Sequence, residues 1–441
     1  VKKSPSQYRQ AVSIVRRLRK AGYLAYLVGG CVRDLLLRRK PKDFDIATDA
    51  TPEAVARLFP KTIPVGVQFG VQLVVLSGHP FEVATFRTDL AYRDSRHPEG
   101  VVFSGPKEDA LRRDFTVNGL FYDPLTQQVI DYVGGKQDLD RKLIRAIGDP
   151  KKRFEEDRLR MLRAVRLAAQ LDFSIEPETF EAIRLGAKEI ERVSAERIRD
   201  ELVKLFTGPS PGRGLILLDA SGLLEVILPE VARMKGVPQP PEFHPEGDVF
   251  THTKLLLDLL PHASIVLAFA ALLHDVGKPP TFRIADRIRF DGHDRVGREI
   301  AQKICRRLRF SKAETDAIAE LVGDHMRFKD VRQMRVSTLK RFLAKPTFPE
   351  ELKLHRADCL ASHGDLTNWR FLLRKLKEFS HEQLKPKPLI NGHDLLALGY
   401  PEGPRIGTIL RAVEEAQLEG KLRSKSEALA WVSEHFGLEK G

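Results

Sequence analysis

The sequence predicts an α+β protein: a small head of mixed strands and helices, followed by an all-helical remainder. Three observations carry this. Short apolar runs with alternating or β-branched character occur within roughly the first 150 residues, at Ala25–Val28, Val65–Leu76 and Phe81–Phe86. From Phe154 to Phe206 the apolar residues recur at helical spacing: Leu159, Leu162, Val165, Leu167 and Leu171 mark one face, and Ile198, Leu202 and Leu205 another. Beyond a proline-rich stretch, Pro238 to Pro245, the pattern stays helical to the end, interrupted near Pro386–Gly392 and Tyr400–Gly407. The expected division is 1–150 (head), 151–237 (helical neck and body), 238–380 (a second helical domain) and 381–441 (helical tail).

Each element has a local reason. Tyr8, Val12, Val15 and Leu18 stand at helical spacing with Arg and Lys between them, which suits an amphipathic helix and not a signal peptide. Gly78-His79-Pro80 is expected to turn Val65–Leu76 back into Phe81–Phe86 as a hairpin. Pro209 to Gly214 breaks the helical pattern. The longest apolar run, Ile265–Leu273, is about half a membrane span, so no membrane association is expected. Apolar residues make up 42% and charged residues 30%, the balance of a soluble globular chain. Lys and Arg exceed Asp and Glu by 73 − 60 = 13, which suggests a polyanionic partner. Cys31, Cys305 and Cys359 form no CxxC pair, which points away from disulfides and zinc ribbons and toward a reducing cytoplasm.

Three groups of residues suggest chemistry. In the first, Gly29-Gly30 leaves a strand and is followed by Arg33 and then by Asp43 and Asp45. Two glycines allow close backbone approach to a ligand, and a following helix start favours phosphate. Two carboxylates two apart on a strand share a face and repel unless a cation lies between them. Hard oxygen ligands of this kind suit Mg²⁺ with substrate phosphates. In the second group, Arg112, Arg113, Asp114 and Asn118 could fork onto phosphates and hold ribose hydroxyls. Asp157 and Arg160 stand three apart on an expected helix. That spacing suits an ion pair. It equally suits a pair that reads a base, Asp accepting from an exocyclic amine and Arg donating to the ring acceptor beside it. Cytosine and adenine satisfy such a pair; uracil and guanine do not. The third group is His252, His274-Asp275 followed by Gly277-Lys278, then His293, His325 and Asp358. Ligands spread over several helices in this way can converge on one or two divalent cations.

The segment "LVGGCVRDLLLRRKPKDFDIAT" resembles the signature of the polymerase-β-like nucleotidyltransferases, specifically the tRNA CCA-adding and bacterial poly(A) polymerase family. The resemblance continues to about residue 230 and resumes in the tail. It implies a polymerase-β-like head in which Asp43 and Asp45 bind catalytic Mg²⁺; Glu82, on the second arm of the expected hairpin, could face the same site or simply face solvent. "RRDFTVN" is similar to the family's ribose and triphosphate motif, and "EDRLR" to its protein template for CTP or ATP, with Glu156 in place. "DLDRKLIRAIGDP", holding Asp140, Arg145 and Gly148, is similar to its hinge motif, and Tyr92–Phe103 to the flexible loop of its three-nucleotide members. "LLHDVGKP" resembles the HD phosphohydrolases; there His252, His274, Asp275 and Asp358 would be the core ligands, with His293 and His325 suiting a second metal. In the tail, Lys421, Arg423 and Lys425 would touch tRNA or simply form a solvated face. The implied activity is addition of CCA to tRNA from CTP and ATP, with pyrophosphate released and an HD phosphohydrolase behind. Its rivals are a poly(A) polymerase, a CC-adding or A-adding enzyme, and a metal-dependent RNA phosphohydrolase with a merely RNA-binding head.

Overall fold

The computed structural model describes residues 6–66, 69–89, 100–242 and 244–437. The strands of the head are β1 (Ala25–Val28), β2 (Asp45–Thr48), β3 (Thr62–Gly66), β4 (Val71–Leu76), β5 (His79–Thr85), β6 (Arg87–Asp89), β7 (Val101–Phe103), β8 (Leu120–Asp123) and β9 (Gln128–Asp131). Seven of them form a mixed sheet in the order β3-β4-β5-β2-β1-β8-β9, while β6 and β7 pair as a separate ribbon. The register places the functional segments at one end of this sheet. β1 runs antiparallel to β2 with Val28 opposite Asp45, so the glycines that follow Val28 emerge beside the aspartates. β2 runs parallel to β5 with Ile46 beside Val83, which puts Asp45 and Glu82 on the preceding rung.

The head core lies against this sheet. Tyr26, Val28, Ala47, Phe86, Ala110 and Phe121 form a buried cluster, with Tyr26 and Phe121 edge to face at 6.2 Å. Helix α1 (Gln7–Lys20) packs on β1 and β2 through Ala11, Ile14, Val15 and Leu18. Tyr8 and Val12 flank that stripe and are only half-buried. The predicted hairpin is present as β4 and β5, but the chain reverses one residue early. Ser77 and Gly78 both take positive φ (50° and 82°), and His79 and Pro80 already belong to β5. A left-handed pair of this kind matches the twist of the flanking strands. The β-branched run before it is two strands, because β3 ends at Gly66 before β4 starts.

Helices α2 (Gly30–Leu36), α3 (Pro52–Leu58), α4 (Pro106–Leu111) and α5 (Gly135–Asp140) fill the connections of the head. After it come α6 (Pro150–Glu156), α7 (Leu159–Leu171), α8 (Pro177–Gly186), α9 (Ala195–Phe206) and α10 (Pro211–Ala220). The expected break at Pro209–Gly214 places Pro211 in the first turn of α10, where a missing amide costs nothing. Arg145 pairs with Asp138 at 3.1 Å and Glu176 at 3.3 Å, tying α5 to the start of α8, and Gly148 has φ 73°.

The chain divides into two compact units, residues 1–232 with 307–309, and residues 233–306 with 310–441. In the second unit the helix Ile265–Leu273 is buried from Leu267 onward, so the longest apolar run is a core helix. No described helix is long and apolar enough to cross a membrane. Two short pairings depart from the all-helical expectation: Ser174–Ile175 pairs in parallel with Leu143–Ile144, and Arg283–Ile284 pairs with Ile288–Arg289 as a two-rung antiparallel ribbon. The three cysteines are buried and free.

Candidate active site

Gly29 ends β1 in a conformation (φ 74°, ψ −138°) that L side chains avoid, and a Cβ there would sit 3.2 Å from Arg113 Nη1. The conformation is what requires glycine at this position; a Cβ would only crowd the flexible end of Arg113. Gly30 is under neither constraint; the nearest neighbour of a Cβ there is Arg33 Nη2 at 3.5 Å. Asp45 opens β2, while Asp43 stands just before the strand, so the two aspartates do not share a strand face as expected. They still act on one another. Burial, Glu82 and Asp43 push the Asp45 carboxyl up to about 7, and Arg113 only partly opposes them. Three interacting carboxylates with so little compensation are a donor set suited to a hard divalent cation.

These residues border a cleft of about 800 Å³ in the first unit. Gly29, Gly30, Arg33, Asp43, Asp45, Arg112, Arg113, Asp114, Asn118, Asp157 and Arg160 all line it. Glu82 is exposed and acts on the cleft through Asp45. A hydrogen-bond chain fixes one wall. Arg33 Nη1 donates to Asn118 Oδ1 at 2.7 Å, and Asn118 Nδ2 donates to Asp114 Oδ1 at 3.1 Å. Arg163 forks onto Asp114 Oδ2 through Nε at 2.9 Å and Nη2 at 2.5 Å. Burial alone would raise the Asp114 carboxyl; Arg163, Asn118 and Arg160 hold it well below the usual carboxylate range. Asp109, itself buried, aims Arg112 and Arg113 by accepting from Arg112 Nε at 2.9 Å and Arg113 Nη2 at 2.9 Å.

Asp157 and Arg160 are brought together, but not by a continuous helix. Asp157 sits in the break between α6 and α7 (φ −150°, ψ 103°), and Arg160 lies in the first turn of α7. Asp157 Oδ1 accepts the Leu159 amide at 3.1 Å, and Oδ2 accepts from Arg197 at 2.8 Å. Arg160 Nη1 donates to Glu156 at 2.5 Å and to the Arg153 carbonyl at 3.0 Å; Nη2 donates to the Arg112 carbonyl at 3.4 Å. The five-donor guanidinium therefore keeps Nε and one Nη2 hydrogen for a ligand, and the carboxylate keeps unused lone pairs. Neither partner is spent on the other, as the simple ion-pair reading required.

In the second unit a separate cluster gathers the histidines. The ligand atoms of His252, His274 and Asp275 lie within 4.8 Å of one another, as do those of Asp275, His293 and His325. Asp275 belongs to both groups. His274, His293 and His325 each direct Nδ1 at a backbone carbonyl three residues earlier, at 2.9, 2.8 and 2.7 Å, which turns their Nε2 atoms toward the centre. His252 Nδ1 meets Glu246 at 2.6 Å instead, and its Nε2 lies 3.1 Å from Asp358. His252 Nε2, His274 Nε2 and Asp275 Oδ2 are buried and make no well-aligned hydrogen bond among the described residues; what surrounds them is one another, Asp358 and Lys278 at 2.7–3.1 Å, a crowding of donor atoms that a divalent cation would satisfy. Gly277 makes this geometry possible. A Cβ there would meet the His293 carbonyl oxygen at 2.1 Å and Gly297 N at 2.6 Å. Gly277→Ala is expected to cost about 2–4 kcal/mol in denaturant unfolding, by overpacking against backbone that cannot yield.

Family models match three stretches of the chain. The poly(A) polymerase head domain matches residues 25–145, a probable RNA- and SrmB-binding site of polymerase A matches 172–235, and the HD domain matches 248–362. The CCA-adding enzyme of Lactobacillus gasseri is 34% identical over 439 residues, covering 96% of both chains. This chain belongs to the CCA-adding enzyme family. The Geobacillus stearothermophilus CCA-adding enzyme is 46% identical over 217 residues, 49% of this chain and 54% of that one. The crystal structure of the Bacillus stearothermophilus CCA-adding enzyme in complex with CTP has a TM-score of 0.77 at 29% identity, covering 98% of each chain. The Thermotoga maritima CCA-adding enzyme complexed with tRNA shares the fold, with a TM-score of 0.59 at 20% identity over 98% of this chain and 95% of that one.

For a CCA-adding enzyme the cleft also holds residues that sequence reasoning passed over. Arg163 and Arg166 continue the cleft-facing row of α7 from Arg160 at intervals of three, and Lys42, Arg87 and Lys204 add further positive charge. Arg160, Arg163 and Arg166 recur at intervals of three along α7, but spacing alone does not separate them from a solvated row of arginines. Glu246 and Lys278 were also missed as partners; Lys278 Nζ lies 2.7 Å from Asp275 Oδ2 and donates to Gln239 at 2.6 Å. The loop resembling that of three-nucleotide members, Tyr92–Phe103, lies outside the described residues as far as position 99.

Proposed function

We propose that this protein builds or repairs the 3′-terminal CCA of tRNA in the cytoplasm, using CTP and ATP without a nucleic-acid template. One observation carries the reading: the interacting carboxylates at Asp43 and Asp45 open onto the same basic cleft as the Asp157–Arg160 pair. We assign residues 1–150 to the catalytic head, 151–237 to a neck and body that read the base and hold RNA, 238–380 to the HD domain and 381–441 to the tail. In the reaction the RNA 3′-hydroxyl oxygen bonds to the α-phosphorus, the α–β phosphoanhydride bond breaks, and pyrophosphate leaves. Asp43 and Asp45, with Glu82 beside them, would hold Mg²⁺, which when bound supplies phosphate coordination and a more acidic 3′-hydroxyl. Arg112 and Arg113, aimed by Asp109, face the triphosphate. Arg33, Asn118 and Asp114 present a preorganised edge to the ribose. Asp157 accepts the amine of cytosine or adenine while Arg160 donates to the adjoining ring acceptor. The protein's share of catalysis is positioning and charge compensation.

Incorporation tests this on tRNAs ending before CCA, after C and after CC, with CTP and ATP supplied separately and together. Complete addition that stops after A is expected. Open-ended A addition would assign a poly(A) polymerase, and stopping at CC, or extension of the CC-ended substrate alone, a partial-product enzyme. For the HD cluster we propose a divalent metal held by His252, His274, Asp275 and Asp358, with His293 and His325 able to take a second, and phosphohydrolase activity. Asp275→Ala is expected to abolish hydrolysis of phosphate esters and leave nucleotide addition within about twofold, because the two clusters share no residue.

A further inference from the structure

The second unit carries a cationic hollow of about 260 Å³ that neither reaction uses, lined by Arg332, Thr367, Arg370, Phe371 and Arg374. Its framework is fixed. Leu372 in the helix Thr367–Glu378 is fully buried in a cluster with Phe328 and Phe342, and Trp369, Leu373 and Leu376 pack against that cluster. Arg370 and Arg374, four residues apart, share the exposed side. Asn368 Nδ2 donates to the Phe328 carbonyl at 3.0 Å, which anchors the helix start beside the segment leading to Arg332. The Arg374 guanidinium lies 5.8 Å from the centre of the half-buried Phe371 ring.

The charges here are only partly compensated from within: Glu378 pairs with Arg374, and Asp365 feels the Arg370 charge without pairing with it. Among the described residues no carboxylate lies within ion-pair distance of Arg332 or Arg370, and Arg374 reaches only Glu378, at 3.5 Å, with both side chains exposed. Asp365, at the helix start, already accepts the Thr367 amide at 2.8 Å and hydroxyl at 2.6 Å. The tail, where the sequence suggested RNA contact, differs. Lys421 is paired with Glu419 at 2.7 Å and Lys425 with Asp394 at 2.5 Å. Guanidiniums gathered round a hollow with so few acids repel one another, and a phosphate relieves that repulsion by forked hydrogen bonds.

We propose that Arg332, Arg370 and Arg374 form a phosphate-backbone contact for the RNA substrate on the second unit. Exposed arginines bordering an open hollow suit a polyanion held by charge, more than a small ligand held by a shaped pocket. The assignment rests on the reading that the substrate is tRNA.

The test is equilibrium binding of tRNA lacking CCA to the full chain between 50 and 200 mM salt. Each phosphate that the protein neutralises adds about 0.9 to the slope of log affinity against log salt. The triple variant Arg332→Ala, Arg370→Ala, Arg374→Ala is therefore expected to have a slope shallower by about two to three and to bind about 10-fold or more weakly at low salt. Its rate of nucleotide addition at saturating tRNA stays at the wild-type value. Replacing all three by Lys keeps the charge and most of the slope, which separates phosphate contact from loss of structure. An unchanged slope and affinity in the Ala variant overturns the proposal, as does a slope that falls only when Lys421, Arg423 and Lys425 are replaced. Weaker inorganic phosphate binding with an unchanged RNA slope reassigns the hollow to a small anion and also overturns it. Wild-type protein with no salt-dependent tRNA binding would instead remove the functional reading on which the proposal rests.

Discussion

Asp45→Asn is expected to reduce CTP and ATP incorporation by about 10³-fold or more while raising the stability of the metal-free protein. The two effects have opposite sign because they report different states. Losing one carboxylate of a divalent-cation site removes several kcal/mol of transition-state charge stabilisation, and each 1.4 kcal/mol is a factor of ten. Without the cation, the same carboxylate is a liability. Burial and the charges of Glu82 and Asp43 hold its folded pKa up at about 7. An acid whose pKa rises on folding binds its proton more tightly in the folded state. Stability therefore falls as pH climbs from the unfolded value near 4 through about 7, and the penalty is fully present above that. Asp45 is half-buried, and solvent screening leaves roughly 1 kcal/mol of the penalty. Thermal unfolding in chelator should show Asp45→Asn melting higher than wild type at pH 8 and equal to it at pH 4. Retained incorporation, or no stability gain at pH 8, would mean that the carboxylates are not the cation site described.

How far the sequence revealed this site depends on whether a residue's role is local. Gly29, Asp43 and Asp45 could be read because a strand exit followed by two nearby acids has few other uses together. The hairpin was legible from alternation, but its turn moved one residue because Ser77 accepts a left-handed backbone, which no pattern of apolar residues encodes. Asp157 was seen as a helical residue because "FEEDRLRMLRAVR" reads as one unbroken helix. The break comes from tertiary demands: Asp157 turns to take the Leu159 amide and Arg197, partners 2 and 40 residues away. Arg163 pairs with Asp114 across 49 residues, and by spacing alone it looks like any solvated arginine on a helix. Glu246 is similarly invisible as the partner of His252, since it precedes the helix that carries the histidine. The Arg283–Ile284 ribbon was missed because two rungs are too short to set up a period.

The pair at Asp157 and Arg160 yields the most discriminating expectation. If Asp157 accepts a base amine, Asp157→Asn should admit UTP, because the amide can turn its NH₂ toward the uracil carbonyl that a carboxylate repels. One mispaired buried polar group costs about 1–3 kcal/mol, so preference for CTP over UTP should fall about 10- to 100-fold. Preference should not vanish. Arg160 still meets the N3 hydrogen of uracil donor to donor, and only changing both residues should remove most of the discrimination. Asn also retains an acceptor for the Leu159 amide or for Arg197, so the break between α6 and α7 should survive, with a melting temperature close to that of wild type. The measurement is the ratio of kcat/KM for CTP and UTP on a tRNA lacking CCA. A uniform loss with both nucleotides would place Asp157 in the scaffold, where its bonds to Arg197 and Leu159 would be its whole function. A ratio that collapses while CTP addition persists would show the carboxylate reading the base. The same logic gives Arg160→Ala a different signature: slower addition of both CTP and ATP, since each presents its ring acceptor to the same two free donors.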